Sequence, residues 1–138
     1  WSSFETIVLI SAGIGVTPFA SIIKHLRDRI RQVNALQAAG LKVPRVLDLR
    51  VKRVYFYWVC RDQGSFSWFT EVLRDAQREM GGMLEVHVYL SSVDALGDVR
   101  AVMTHIGLHC YFHEHKVDAI TSLTSITHYD RPNWNGIF

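Results

Sequence analysis

Continuous apolar runs alternate along this chain with segments whose apolar residues recur every three or four positions, and that alternation predicts an α/β protein. The first run, Phe4 to Ile10, leads through Gly13-x-Gly15-x-x-Pro18 into Phe19, Ile22, Ile23, Leu26, Ile30 and Val33, one face of a helix over Pro18 to about Ala38. Gly40 closes that helix. After an irregular connection, Leu41 to Lys52, a second strand is predicted over Arg53 to Val59. Its RVYFYWV is apolar and aromatic without alternation, as a parallel strand covered on both faces requires. A second helix starts near Ser65 or Ser67, buries Phe66, Phe69, Val72, Leu73, Ala76 and Met80, and stops at Gly81-Gly82. Strand three follows over Leu84 to Leu90. A weaker helix over Asp98 to Phe112 gathers Val99, Val102, Met103 and Ile106 on one face, with Gly107 interrupting it. From Asp118 the sequence is polar and turn-rich. Right-handed crossovers between successive strands then give a partial doubly wound parallel sheet.

The chemistry suggested by this layout sits where strand one ends. Two glycines let the main chain turn sharply and approach a ligand closely, Thr17 is placed to cap the next helix, and Pro18 suits its first position. The helix then points its positive end and unpaired N–H groups at the turn, which suits a pyrophosphate. A glycine pair also serves ordinary tight turns, so the flanking strand and helix carry the argument, and proline replaces the third glycine of the commonest dinucleotide fingerprint. Ligands of parallel sheets lie at the strands' carboxyl ends, which brings Arg61 and Asp62 into the same crevice. An acid there favours a free ribose 2′-hydroxyl and a base favours a 2′-phosphate. Both signs occur side by side, and a plain surface ion pair remains open.

The remaining features narrow the function classes. With 138 residues, 49% of them apolar, the chain suffices for one domain with its own core. Its net charge of +2 is scattered and gives no support to a nucleic-acid partner. Cys60 and Cys110 form no C-x-x-C pair, so neither a disulfide framework nor a zinc knuckle is indicated. Cys60 reads as a small buried residue and a reducing compartment is expected. No apolar run approaches the ~20 residues that span a bilayer, and no signal peptide is visible. His105, His109 and His113 recur every four residues, with Cys110 between them and His115 close by, and a solvated histidine face is preferred to a metal site. Ser3 and Ser11 lie in no nucleophile elbow, and no paired carboxylates mark a hydrolase. Trp58, Trp68 and Phe69 are assigned to the core rather than to an electron route. An opening on Trp1 and a stop at Phe138 lead us to expect a piece of a longer protein, 1–138 being one subdomain of it.

Taken jointly, AGIGVTPFASI, YFYWVCRD followed by SFSWF, and DRPNW resemble the NADPH oxidase family in its C-terminal dehydrogenase lobe, over nearly the whole chain. Ferric reductases and plant-type ferredoxin reductases share the glycine turn. LTSITHYDRPNW is closer to the dual-oxidase branch and YFYWVCRD to the phagocyte type, so the branch stays open. The resemblance implies a ferredoxin reductase-type NADP-binding domain in a membrane protein, on the cytosolic face. NADPH gives a hydride to FAD, and single electrons pass through haem to dioxygen. It further implies that Gly13, Ile14, Gly15, Val16, Thr17 and Pro18 hold the pyrophosphate and approach the nicotinamide. Arg61 reads the 2′-phosphate, with Arg131 a second basic contact, and no catalytic or metal-ligating residue is assigned. The FAD-binding and haem-bearing membrane domains of the same chain are the implied partners, alongside regulatory proteins. The sequence departs from the family in three places. Asp130 stands where glycine is usual before Arg131, the stretch from Gln32 to Lys52 reads as an inserted loop, and the later strands of the sheet are missing. Strand one then exposes an edge, and the piece alone is expected to bind NADPH weakly or not at all and to associate. Two rivals are carried: a ferric-chelate reductase dehydrogenase domain, and a non-catalytic interaction module.

Overall fold

A computed structural model describes residues 4–47, 50–61, 67–91, 99–129 and 131–137. Trp1, Ser3, Asp62, Ser65, Phe66, Asp98, Asp130 and Phe138 lie outside them, and for Trp68 only the backbone is described. The chain runs β1 (Thr6–Ala12), α1 (Thr17–Ala38), β2 (Arg53–Cys60), α2 (Ser67–Met80), β3 (Leu84–Leu90), α3 (Val99–His115), β4 (Thr127–His128) and α4 (Trp134–Ile137). All four strands are parallel in the order β1-β2-β3-β4, so the α/β class is as expected.

Alternation along the strands decides which residues meet the helices. Val54, Phe56, Trp58 and Cys60 of β2 and Leu84, Val86, Val88 and Leu90 of β3 turn to one face. There they pack with Ile23 and Leu26 of α1 and with Phe69 and Leu73 of α2 in a single core. Phe56 lies between Phe19 at 6.0 Å and Phe69 at 5.7 Å, a tilted and an edge-on contact. Each such large apolar side chain contributes roughly 1.5–3 kcal/mol by leaving water. On the opposite face Tyr57 stacks on His87 at 4.7 Å, and Trp134 of α4 meets Tyr57 edge-on at 5.9 Å. The chain after Arg131 therefore reaches back from the β4 side to the underside of β2 by Trp134.

Three local readings change. β1 begins and ends two residues later than its apolar run suggests, because the Glu5 carbonyl accepts the N–H groups of Lys52 (2.7 Å) and Arg53 (3.1 Å) and the parallel ladder then continues to Ala12 opposite Val59. Gly107 does not interrupt α3, and the Val99, Val102, Met103, Ile106 face is exposed. The polar tail conceals β4, which the buried Asp118 sets in place. Its Oδ1 accepts from the N–H groups of Ile120 (3.0 Å) and Thr121 (2.8 Å) and from Thr121 Oγ1 (3.0 Å). Its Oδ2 accepts from Thr127 N–H at 2.8 Å, the first residue of the strand. Among the described residues β1 pairs only with β2, and Val8 and Ile10 are 41% and 46% exposed on the face away from the helices.

Candidate functional site

The site is assembled where β1 and β2 end side by side. Ladder pairing of Ala12 with Val59 puts the turn after β1 next to Cys60 and Arg61. Gly13 to Val16 form one 3-10 turn that leads straight into α1. Gly13 takes φ of +52°, a left-handed conformation that penalises any Cβ. Gly15 has no such constraint, and a Cβ added there would meet nothing within 4 Å. Neither the backbone angle nor the packing of the chain explains glycine at that position. Space in front of Gly15 is what a closely approaching ligand backbone or phosphate requires.

Polar groups of the turn are sorted by sign. The buried Trp58 indole donates its Nε1–H to the Gly13 carbonyl at 3.2 Å, and Thr17 Oγ1 donates to the Ile14 carbonyl at 3.2 Å. Thr17 N–H bonds the same Ile14 oxygen. Two negative ends are thus tied into the fold, while the N–H groups opening a 3-10 turn have no acceptor within its ladder. Thr17 is not the N-cap: Val16 occupies that place, Thr17 is the first helical residue, and no side-chain cap bond is made at the start of the turn or of α1. The difference arises because the preceding turn already carries helical backbone angles, so the helix begins one residue early. Val16 is buried at 1% exposure, whereas Ile14 is 90% exposed.

Arg61 is exposed and follows Cys60, whose carbonyl accepts from Ser91 N–H (2.8 Å) and Ser91 Oγ (3.1 Å). Ser91 is the first residue after β3, so the carboxyl ends of β2 and β3 are clamped one peptide before Arg61. Asp62, the competing residue of opposite sign, lies outside the described residues. Arg131 is exposed and follows β4, on the far side of β3, while Trp134 three residues later is already against Tyr57. The structure therefore brings Gly13 to Pro18 and Arg61 together on adjacent strands and puts Arg131 on the outer one.

Residues 4–138 match the profile of the ferric reductase NAD-binding domain. The chain belongs to that family. Among curated proteins it is 33% identical over 139 residues to respiratory burst oxidase homolog protein B of Arabidopsis thaliana, covering 100% of this chain and 16% of that protein. The protein of the same name from Solanum tuberosum is likewise 33% identical over 139 residues, with the same two shares. A superoxide-generating NADPH oxidase heavy chain of Dictyostelium discoideum is 36% identical over 136 residues, 98% of this chain and 23% of the relative. The chain thus spans between a sixth and a quarter of these relatives.

For a ferric reductase NAD-binding domain, two contributors were hidden in the sequence. Trp58 reads as an ordinary core aromatic, and only the fold shows its indole reaching the glycine turn. Ser91 had no signal beyond a hydroxyl directly after a strand. Neither Cys60, which is buried, nor Cys110, which is exposed, is in a disulfide. Among the described residues no three His, Cys, Asp or Glu side chains come together as a metal site, and no helix is long and apolar enough to cross a membrane. His128 of β4 and Tyr129 directly after it carry shifted titrations. Burial, with His87, His109 and His105 nearby, holds His128 below its ordinary value, and burial raises Tyr129 to about 12.

Proposed function

We propose that this chain is the NADPH-binding subdomain of a longer membrane NADPH oxidase, placed on the cytosolic face. In it the turn Gly13–Pro18 seats the dinucleotide pyrophosphate and Arg61 takes the adenosine 2′-phosphate. The observation that carries the reading is the adjacency of these two elements at the carboxyl ends of neighbouring parallel strands, in a chain of this family. When bound, the reduced nicotinamide supplies a hydride. FAD and haem belong to other parts of the same protein, with dioxygen as acceptor and superoxide or hydrogen peroxide as product. The residues here bind and orient: N–H groups at the start of the turn and of α1 meet phosphate oxygens, the open space before Gly15 admits them, and the exposed Arg61 guanidinium offers a bidentate donor pair to the added phosphate. Arg131 is a second basic contact, nearer the outer edge. A ferric-chelate reductase would use the same residues and differ in its final acceptor. The family's description keeps that alternative in view.

Titration with NADPH and NADH tests the assignment. Replacing Arg61 by Ala is expected to weaken NADPH by about 1.5–3 kcal/mol, the range for a charge-assisted hydrogen bond, and to leave NADH nearly unchanged. Equal losses for both nucleotides would remove Arg61 from the 2′-phosphate.

A further inference from the structure

We infer that Trp58 is a positioning residue for the nucleotide, a hydrogen-bonded pin that sets which way the first peptide of the glycine turn faces; the inference rests on the reading of that turn as a pyrophosphate seat. Trp58 is 1% exposed, and its ring is held edge-on against Phe69 of α2 at 5.2 Å with planes at 90°. Packing thus fixes the indole before any ligand arrives. From that fixed place its Nε1–H reaches the Gly13 carbonyl at 3.2 Å.

The consequence follows from peptide geometry. In a trans peptide the carbonyl and the N–H of the next residue point in opposite directions, and this chain has no cis bond among its described residues. Drawing the Gly13 oxygen toward the core therefore turns the Ile14 N–H away from it. Gly13 at φ of +52° is the residue whose backbone needs holding, since glycine also visits the mirror region freely. Within the 3-10 turn the same oxygen closes the i to i+3 bond with Val16 N–H, so the pin is the second of two bonds that keep this peptide from turning its oxygen toward an incoming anion, and its loss weakens that hold. With it, the turn meets phosphate with a donor. The pin acts on the pyrophosphate, which NADPH and NADH share, and not on the 2′-phosphate.

That difference gives the test, performed on the full-length oxidoreductase. Trp58→Phe removes the N–H and part of the ring. As a second variant, site-specific incorporation of 3-benzothienylalanine keeps the bicycle and replaces the N–H by sulfur. Both are expected to weaken NADPH and NADH by the same factor, about threefold to tenfold for one hydrogen bond, raising KM with kcat nearly unchanged. The NADPH-to-NADH affinity ratio stays constant, whereas Arg61→Ala changes it. Unchanged affinity for both nucleotides in a folded benzothienyl variant would overturn the pin, as would a loss confined to NADPH. A fall in melting temperature with intact affinity would show packing alone and overturn it too. If the unaltered protein bound neither nucleotide, the underlying reading would fail first, and the unaltered protein alone reveals that.

Discussion

The two glycines of the turn make opposite predictions, and the pair separates a structural turn from a ligand seat. Gly13 is at φ of +52°, where an alanine pays the left-handed penalty of roughly 1–2 kcal/mol, with no clash to add because its Cβ would meet nothing within 4 Å. Gly15 lies outside that region and is equally open, so alanine there should stabilise the fold by about 0.4–1 kcal/mol through the unfolded chain. The variants are thus expected to differ by about 1.5–3 kcal/mol in urea or thermal unfolding, Gly15→Ala being the more stable. Binding should run against stability. A methyl group in the space before Gly15 keeps phosphate oxygens from the amides, and losing one charge-assisted contact weakens NADPH and NADH by at least about tenfold. Nucleotide titration by fluorescence, beside unfolding of the same samples, measures both. If Gly15→Ala binds normally, or destabilises as much as Gly13→Ala, the open space serves no ligand and the turn is architecture.

Other expectations concern the scaffold. Asp118→Ala strands three backbone N–H groups and one hydroxyl in a buried setting, so it should lower stability by at least about 3 kcal/mol and speed amide exchange at Thr127; a loss below about 1 kcal/mol would contradict its place at the hub of the tail. His128 is held below its ordinary 6.5 by burial and neighbouring histidines, so the unfolded chain takes up its proton first. Its share of stability is whole above about pH 6.5 and drains away as pH falls toward the lower folded value. Urea unfolding from pH 8 to 5 should therefore slope less in His128→Gln than in the unaltered chain, and equal slopes would refute this. The exposed β1 edge predicts that the chain alone self-associates in sedimentation velocity and that Ile10→Lys shifts it toward monomer; an unaltered chain that sediments as a monomer at high concentration would count against it.

What could be read without coordinates follows from how each element is stabilised. RVYFYWVC and LEVHVYL announce β2 and β3 because buried parallel strands need apolar residues locally, and the face of α2 is written in Phe69, Val72, Leu73, Ala76 and Met80. β4 consists of Thr127 and His128 alone, residues with no strand signal of their own. It exists because Asp118, nine residues earlier, holds the Thr127 amide, a tertiary bond that no periodicity encodes. Gly107 misleads in the other direction: one glycine costs a helix only about 1 kcal/mol, too little to end seventeen residues of α3. At the site, the glycine turn is legible because its backbone needs special residue types. The Trp58 bond is not, since an indole looks the same in sequence whether its N–H is used or not.

Sheet order also ranks the basic residues. Strands lie about 4.8 Å apart, so Arg61, one strand from the glycine turn, shares its crevice directly, while β4 stands two spacings beyond β2, on the order of 10 Å away. Arg131 leaves from that outer strand, and within three residues the chain is committed to the underside of the sheet by Trp134 against Tyr57. A 2′-phosphate lying over the end of β2 therefore meets Arg61 with a short, direct reach, and meets Arg131 only across the end of β3. The clamp of Ser91 on the Cys60 carbonyl favours the same residue, because it fixes the peptide from which Arg61 springs. On the proposed reading, recognition of the added phosphate therefore falls first on Arg61, where backbone position is set on both sides by neighbouring strands.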